Sequence, residues 1–250
     1  MEKIRIIQEY GSFDNLKNYD YAIIITSYGR DILLEKALNS AVNQKYKTAI
    51  LIIDDNSDTI NKKTKQIILN LASKNDNILF FSTKTSNEER KKVSTFCRNI
   101  NFMLKICIDN LPNIKYVSYL PCDDIYHPTR TSLAIRYLRS NDSISSCYNY
   151  IDLVSIGGQK IGKIPGTLNK SIINAVAVLD HSCVTHKIEL LNKMEYPYWP
   201  ISKNSEHIAP DGEFFNKLIA VGGPIFKISG IVLGEKLHHG NSIQGKAHGW

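Results

Sequence analysis

The chain has 250 residues, 43% of them hydrophobic and 22% charged, and carries a net charge of +7; this suits one large α/β domain with a sizeable core. No stretch approaches the roughly 20 apolar residues that span a bilayer, and Met1-Glu2-Lys3-Ile4-Arg5 has no apolar core or cleavage site of a secretion signal. Five scattered cysteines without a CxxC pair argue for reduced thiols, and so for a cytoplasmic protein, and against zinc.

The basic excess permits a phosphorylated small molecule, peripheral association with an anionic membrane, or nucleic acid. Its lysines and arginines are dispersed, the longest tracts being Asn61-Lys62-Lys63-Thr64-Lys65 and Arg90-Lys91-Lys92. The first reads as the wet face of a helix. No aromatic-rich basic stripe accompanies them, so nucleic acid is not an expected partner.

In chain order, residues up to about Asp20 read as an irregular lead-in. Tyr21-Ala22-Ile23-Ile24-Ile25 is a continuous apolar run, the pattern of a strand buried on both faces, and it stops at Thr26-Ser27-Tyr28-Gly29-Arg30. From Asp31, a candidate N-cap, the spacing turns helical through Leu34, Ala37, Leu38, Ala41 and Val42. Ala49 to Ile53 is a second run, ending in Asp54-Asp55-Asn56-Ser57-Asp58, and a helix with Ile67, Ile68, Leu71 and Ala72 follows. Ile78 to Phe81 leads to a helix carrying Phe96, Ile100, Met103 and Leu104. The fourth run, Tyr116 to Leu120, ends in Pro121-Cys122-Asp123-Asp124, and Pro128 can open the next helix. Four rounds of strand and helix in about 140 residues predict a doubly wound, mostly parallel sheet flanked by helices.

In such a sheet the carboxyl ends of the strands line one crevice. Asp123 and Asp124 alone read first as turn formers capping the helix after Pro128, ahead of a metal site. Together with Thr26 to Arg30 and Asp54 to Asp58 they gather acids at one edge, where like charges raise each other's pKa unless a metal and a diphosphate with its basic partners answer them. A divalent cation at Asp123 and Asp124 is therefore the better reading. Neither a P-loop nor Gly-x-Gly-x-x-Gly is present. Tyr28 could stack a base or close the core rim; Asp55 could accept a hydrogen from a pyrimidine imide; Arg90 and Arg98 could meet phosphate or remain helix surface.

The second half, about residues 141–250, is less regular than the first, about 20–140, although one domain is expected. Ser143 to Val154 reads as a strand, Gly157-Gly158 as a hairpin turn and Gln159 to Ile164 as the returning strand. His181 and His186 are read on opposite faces of a strand, which argues against a shared metal. A helix is expected from Ile188 to Met194, then a packed aromatic corner at Tyr196-Pro197-Tyr198-Trp199-Pro200. Pro210-Asp211-Gly212-Glu213-Phe214-Phe215 opens a last helix, with Asp211 a candidate N-cap. His238, His239 and His248 read as tail histidines.

The runs Ala22-Ile-Ile-Ile-Thr-Ser-Tyr-Gly-Arg, Ile-Ile-Asp54-Asp55-Asn56-Ser57 and Tyr-Leu-Pro-Cys-Asp123-Asp124-Ile-Tyr resemble, in order, the nucleotide-sugar-binding half of inverting family 2 glycosyltransferases with the A-type fold. One departure is Cys122-Asp123-Asp124 where many members carry Asp-x-Asp. The resemblance implies transfer from a pyrimidine nucleoside diphosphate sugar (UDP- or dTDP-) to the hydroxyl of a carbohydrate or other acceptor, with inversion, aided by Mn²⁺ or Mg²⁺. It implies nucleotide contacts from Thr26, Tyr28, Arg30, Asp55, Arg90, Arg98 and Asp123, metal contacts from Asp124 and Asp123, a sugar or acceptor pocket at Asp180 and His181, and Asp211 as catalytic base. A histidine near the C-terminus often covers the diphosphate in such folds. Two other classes fit parts of the pattern, a sugar nucleotidyltransferase and a catalytically silent nucleotide-sugar-binding module; the glycine-rich, arginine-containing loop of the former is missing after the first strand.

Overall fold

The continuous apolar runs become neighbouring strands of one large sheet. A computed structural model describes residues 4–29, 32–55, 62–155, 157–166, 170–201 and 209–238. Its strands are β1 (Ile6–Tyr10), β2 (Tyr21–Ser27), β3 (Ala49–Asp55), β4 (Ile78–Thr83), β5 (Tyr116–Pro121), β6 (Asp124–Tyr126), β7 (Ser146–Ser155), β8 (Lys160–Ile164), β9 (Ser171–Ile172), β10 (Val184–Lys187) and β11 (Ile225–His238). The helices are α1 (Phe13–Leu16), α2 (Ile32–Val42), α3 (Lys62–Ala72), α4 (Asn87–Lys92), α5 (Thr95–Asn110), α6 (Arg130–Ser140) and α7 (Pro210–Gly222).

The sheet runs β1-β4-β3-β2-β5-β10-β7-β11-β6, with β8 beside β7 and β9 beside β11. Its first half, β4-β3-β2-β5, is parallel, and all four strands end at the same edge. Beyond β5 it is mixed. β10 runs antiparallel to both β5 and β7, while β11 is parallel to β7 and antiparallel to the short β6. This last pairing sets Lys236 directly across from Asp124.

β2 shows why the apolar runs are uninterrupted. Ala22 and Ile24 pack into a core with residues of α5 and α7, whereas Tyr21, Ile23 and Ile25 pack into a second core with residues of α2, α3 and α6. Both faces are buried, so alternation with polar residues disappears. Each buried isoleucine contributes about 1.5–3 kcal/mol of transfer free energy, which ties the crevice edge to rigid strands.

Some local expectations change. The lead-in is not irregular, because β1 pairs antiparallel with β4. As an edge strand it leaves Ile6, Ile7 and Tyr10 exposed, and a sequence covered on so little of its surface carries no readable alternation. The segment after β10 is a 3₁₀ helix, Ile188–Lys193, rather than an α-helix. His181 lies in a separate 3₁₀ turn, His181–Cys183, and not on the strand with His186. Asp180 causes that turn by accepting from the Ser182 amide at 3.0 Å, the capping geometry of a helix start. The N-cap expected at Asp31 lies outside the described residues.

Candidate active site

The crevice edge divides into three neighbourhoods, each built around a carboxylate. On the nucleotide side, β3 ends in Asp55, which is 1% exposed. Its Oδ1 accepts from Thr83 Oγ1 at 3.1 Å and Thr85 Oγ1 at 2.9 Å, and its Oδ2 accepts from Arg90. A capping box starts α4, with Ser86 and Glu89 bonding each other's backbone amides at 3.2 and 2.7 Å; such a box stabilises a helix start by about 1 kcal/mol and here aims Arg90. The Arg90 guanidinium lies over the Tyr28 ring, 3.9 Å from its centroid, while Tyr28 stays 46% exposed and accessible to a flat ring. Arg98 is buried, donates to Thr85 Oγ1 and sits 3.8 Å from Glu89. Both arginines therefore gather on the Asp55 side. Thr26 is half-buried at the end of β2, in register with Ile53 and Pro121. Arg30 and residues 56–58 lie outside the described residues.

On the second side, Asp124 is 1% exposed and neither of its carboxylate oxygens has a hydrogen-bond partner among the described residues. Its compensation is ionic: Lys236 Nζ lies 3.5 Å from Asp124 Oδ2 and 2.9 Å from Asp180 Oδ2. Burial, with repulsion from Asp180 and Asp123, pushes Asp124 up to about 7 against the pull of Lys236. Asp180 differs. Burial would raise it, but Lys236, His181 and the Ser182 hydroxyl hold it below the usual carboxylate range. Lys236 is raised well above its ordinary value, since the two acids outweigh burial. Asp123 is half-buried in the turn, its carbonyl accepting from the Leu237 amide at 3.4 Å. A buried carboxylate whose oxygens lack donors fits a divalent cation, and Asp123 alongside could supply another oxygen.

The third side is Asp211, in the first turn of α7 after Pro210; the N-cap is Ala209, so Asp211 is not held there as a cap. Asp211 Oδ2 accepts twice from His181, from the amide at 3.1 Å and from Nδ1 at 2.7 Å. Its Oδ1 carries no hydrogen bond among the described residues. The His181 ring stacks on Phe96 with centroids 6.0 Å apart and meets the edge of Trp199 at 6.0 Å. Burial would lower the imidazole's pKa, but the Asp211 and Asp180 carboxylates raise it to about 9. The ligating atoms of Asp180, His181 and Asp211 all lie within 4.8 Å of one another, a spacing that could hold a cation. A protonated imidazole has no lone pair to ligate one, so at neutral pH the trio is better suited to holding a proton. Gly212 lets α7 press against the chain at Val176, because a Cβ at residue 212 would fall 2.4 Å from the Val176 Cα. Asn216 Oδ1 locks the same approach by accepting from the Ala175 amide at 2.8 Å.

Sequence reasoning missed several of these partners. Lys236 is a lone lysine in a strand and has no motif. Arg130 is fully buried, packs over the Tyr126 ring at 3.9 Å and donates to the carbonyls of Ser182 and Val184 at 3.0 and 3.2 Å, pinning the turn that carries His181. Its only signal was its place at the first position of the helix after Pro128. Trp199 packs as expected of the aromatic corner, stacked 4.5 Å from Phe214, and exchanges two 2.9 Å hydrogen bonds with Asn101. His186 is buried against the Tyr119 hydroxyl at 2.7 Å, and burial lowers it to about 4, so it stays neutral. His238 ends β11, whereas His239 and His248 lie outside the described residues.

The family profile described as glycosyl transferase family 2 matches residues 22–160, which hold β2 to β5, both aspartate pairs and most of the β7–β8 hairpin. The chain belongs to that family. The chain is 26% identical over 184 residues to protein CgeD of Bacillus subtilis (strain 168), a match covering 71% of this chain and 41% of CgeD. It thus spans less than half the length of that relative. Its fold is that of TarS from S. aureus, with a TM-score of 0.62 at 14% identity over 88% of this chain and 37% of TarS. A fragment of TarS, residues 1–349, has been solved in complex with UDP and has a TM-score of 0.56 at 13% identity, covering 88% of this chain and 61% of that one. The mannosyltransferase PcManGT from Pyrobaculum calidifontis, solved in complex with GDP-Man and Mn²⁺, has a TM-score of 0.56 at 12% identity over 92% of this chain and 59% of its own. No helix among the described residues is long and apolar enough to cross a membrane.

Proposed function

We propose that this glycosyltransferase moves a sugar from a pyrimidine nucleoside diphosphate, UDP or dTDP, to an acceptor hydroxyl by a single inverting displacement, with Mn²⁺ or Mg²⁺ as cofactor. The observation that carries the reading is one continuous chain of charges. Asp124 meets Lys236 at 3.5 Å, Lys236 meets Asp180 at 2.9 Å, Asp180 lies 3.8 Å from His181, and His181 bonds Asp211 at 2.7 Å. It joins the side that would hold the leaving group to the side that would activate the nucleophile.

Asp55, with Tyr28 and Thr26, would hold the base, an imide N–H being a suitable donor to the remaining lone pair of Asp55 Oδ2. Arg90 orients both Asp55 and Tyr28; Arg98 supports them through Thr85. Arg30 is carried in this set by resemblance. Asp211 Oδ1 takes the acceptor hydroxyl's proton while that oxygen bonds to the anomeric carbon; the bond from that carbon to the diphosphate breaks, and its electron pair leaves with the phosphate oxygen. General base help of this kind contributes roughly 10²–10⁴ in rate. His181 occupies Oδ2 through its amide and its Nδ1, which fixes the orientation of the carboxylate. Asp180 and His181 would floor the sugar and acceptor pocket. Asp124 and Asp123 would hold Mn²⁺ or Mg²⁺, which would supply positive charge opposite the departing diphosphate.

The UDP of the TarS complex supports a pyrimidine donor and the Mn²⁺ of the mannosyltransferase complex supports the cation. Resemblance of Asp180 to His186 and of the Asp211 segment to the spore coat polysaccharide glycosyltransferase supports a role in building polysaccharide or glycoconjugate. Residues 1–250 would act as one domain, about 20–140 binding donor and about 141–250 binding acceptor. Five free cysteines favour the cytoplasm, and the +7 charge favours peripheral contact with an anionic membrane. The test is Asp211→Asn. Transfer from a panel of UDP- and dTDP-sugars should fall roughly 10²- to 10⁴-fold. The thermal shift produced by UDP with Mn²⁺, worth about 2.7 kcal/mol at 100 times its dissociation constant, should persist. Transfer near the wild-type rate would refute the base, and no shift with any pyrimidine diphosphate would refute the donor.

A further inference from the structure

The link between the two sides of the site is an ammonium group whose position is set by strand pairing. Lys236 stands opposite Asp124 in the β11–β6 ladder, and its side chain is only 14% exposed. The ladder cannot slide. At Gly234, two residues earlier on the same strand, a Cβ would already meet the Ile125 carbonyl oxygen at 2.8 Å, so the strands are in close contact. Two buried carboxylates share this one ammonium, with Asp180 holding it at 2.9 Å and Asp124 at 3.5 Å. Asp124 is the weaker holder and has no hydrogen bond of its own among the described residues.

A divalent ion arriving at Asp124 would meet a like charge beside Oδ2. At such separations, in a poorly hydrated site, repulsion is several times what it is in water. The ammonium and the ion are therefore alternatives at that oxygen. We propose that Lys236 is the resident counter-charge of Asp124 and Asp180, and that by having to be displaced from Asp124 it sets the cation affinity of the site. The inference rests on Asp124 being the cation ligand proposed above. Since the strands are fixed, displacement is a swing of the lysine side chain toward Asp180, which the shorter contact already favours.

Mn²⁺ binding to the 250-residue chain without nucleotide, read from the electron paramagnetic resonance signal of free Mn²⁺, tests both layers. Lys236→Met should bind Mn²⁺ roughly tenfold or more tightly than wild type, about 1.4 kcal/mol, and Asp124→Asn should abolish binding. Equal affinity of wild type and Lys236→Met, with Asp124→Asn still defective, overturns the role of Lys236 and leaves Asp124 as ligand. Binding by neither protein, or binding indifferent to Asp124→Asn, overturns the ligand and the inference together. If Lys236→Met does not fold, wild type answers: acylation of Lys236 by an N-hydroxysuccinimide ester should increase when Mn²⁺ is added, and an unchanged yield refutes displacement.

Discussion

Asp55 and Asp124 are equally buried, at 1% exposure, and both follow a parallel strand, yet their surroundings are opposite. Asp55 has three of its lone pairs taken by two threonine hydroxyls and an arginine. Asp124 has no hydrogen bond among the described residues and depends on a shared lysine at 3.5 Å. A carboxylate held this way is a fixed shape for recognition, with its charge already answered and one lone pair of Oδ2 left to read a donor. An acid left with an ionic neighbour alone is a reservation for incoming positive charge.

The contrast can be broken by substitution. Asp55→Ala takes a buried charged acceptor away from the Arg90 guanidinium and the Thr83 and Thr85 hydroxyls, and should lower unfolding free energy in urea by about 3 kcal/mol. A loss below about 1 kcal/mol would show that these hydrogen bonds are not structural. Next in size is a pH effect at the third neighbourhood. His181 is raised to about 9 from 6.5, so its contribution is fully present below pH 6.5 and is lost as pH rises through 9. The shift corresponds to at most about 3 kcal/mol, and partial solvent access reduces this to about 2 kcal/mol. The difference in unfolding free energy, from urea melts, between wild type and His181→Asn should shrink by that amount between pH 6.5 and 9.5; a constant difference would mean that the imidazole is neutral throughout. The smallest effect belongs to Asp124→Asn. It removes a buried charge while Lys236 keeps Asp180, so stability should change by less than about 1 kcal/mol, in either direction. A loss like that of Asp55→Ala would erase the distinction between the two acids.

The aspartate pairs were legible because each ends an uninterrupted apolar run, the strongest signal a buried parallel strand leaves. What separates Asp55 from Asp124 was not legible. The partners of Asp55 come from residues 83, 85 and 90 and that of Asp124 from 236, so strand pairing and the start of α4 bring them together. Asp211 could be noticed as an acid opening an apolar helix, but its bond to His181, 30 residues away, had no periodicity to reveal it. β1 went unread because an edge strand has little apolar surface to bury. Arg130 resembled any helical arginine; the carbonyls it meets in its buried position belong to Ser182 and Val184, far along the chain.

The contact at Gly212 constrains any redesign of the proposed acceptor side. The residue after the proposed base touches Val176, and Asn216 is bonded to both the Ala175 amide, at 2.8 Å, and the Asn174 side chain, at 3.1 Å. Residues 174–183 and the start of α7 behave as one cassette. A chimera that imports a new acceptor-side helix from a relative must import its matching segment too, together with the Trp199 corner that stacks on Phe214.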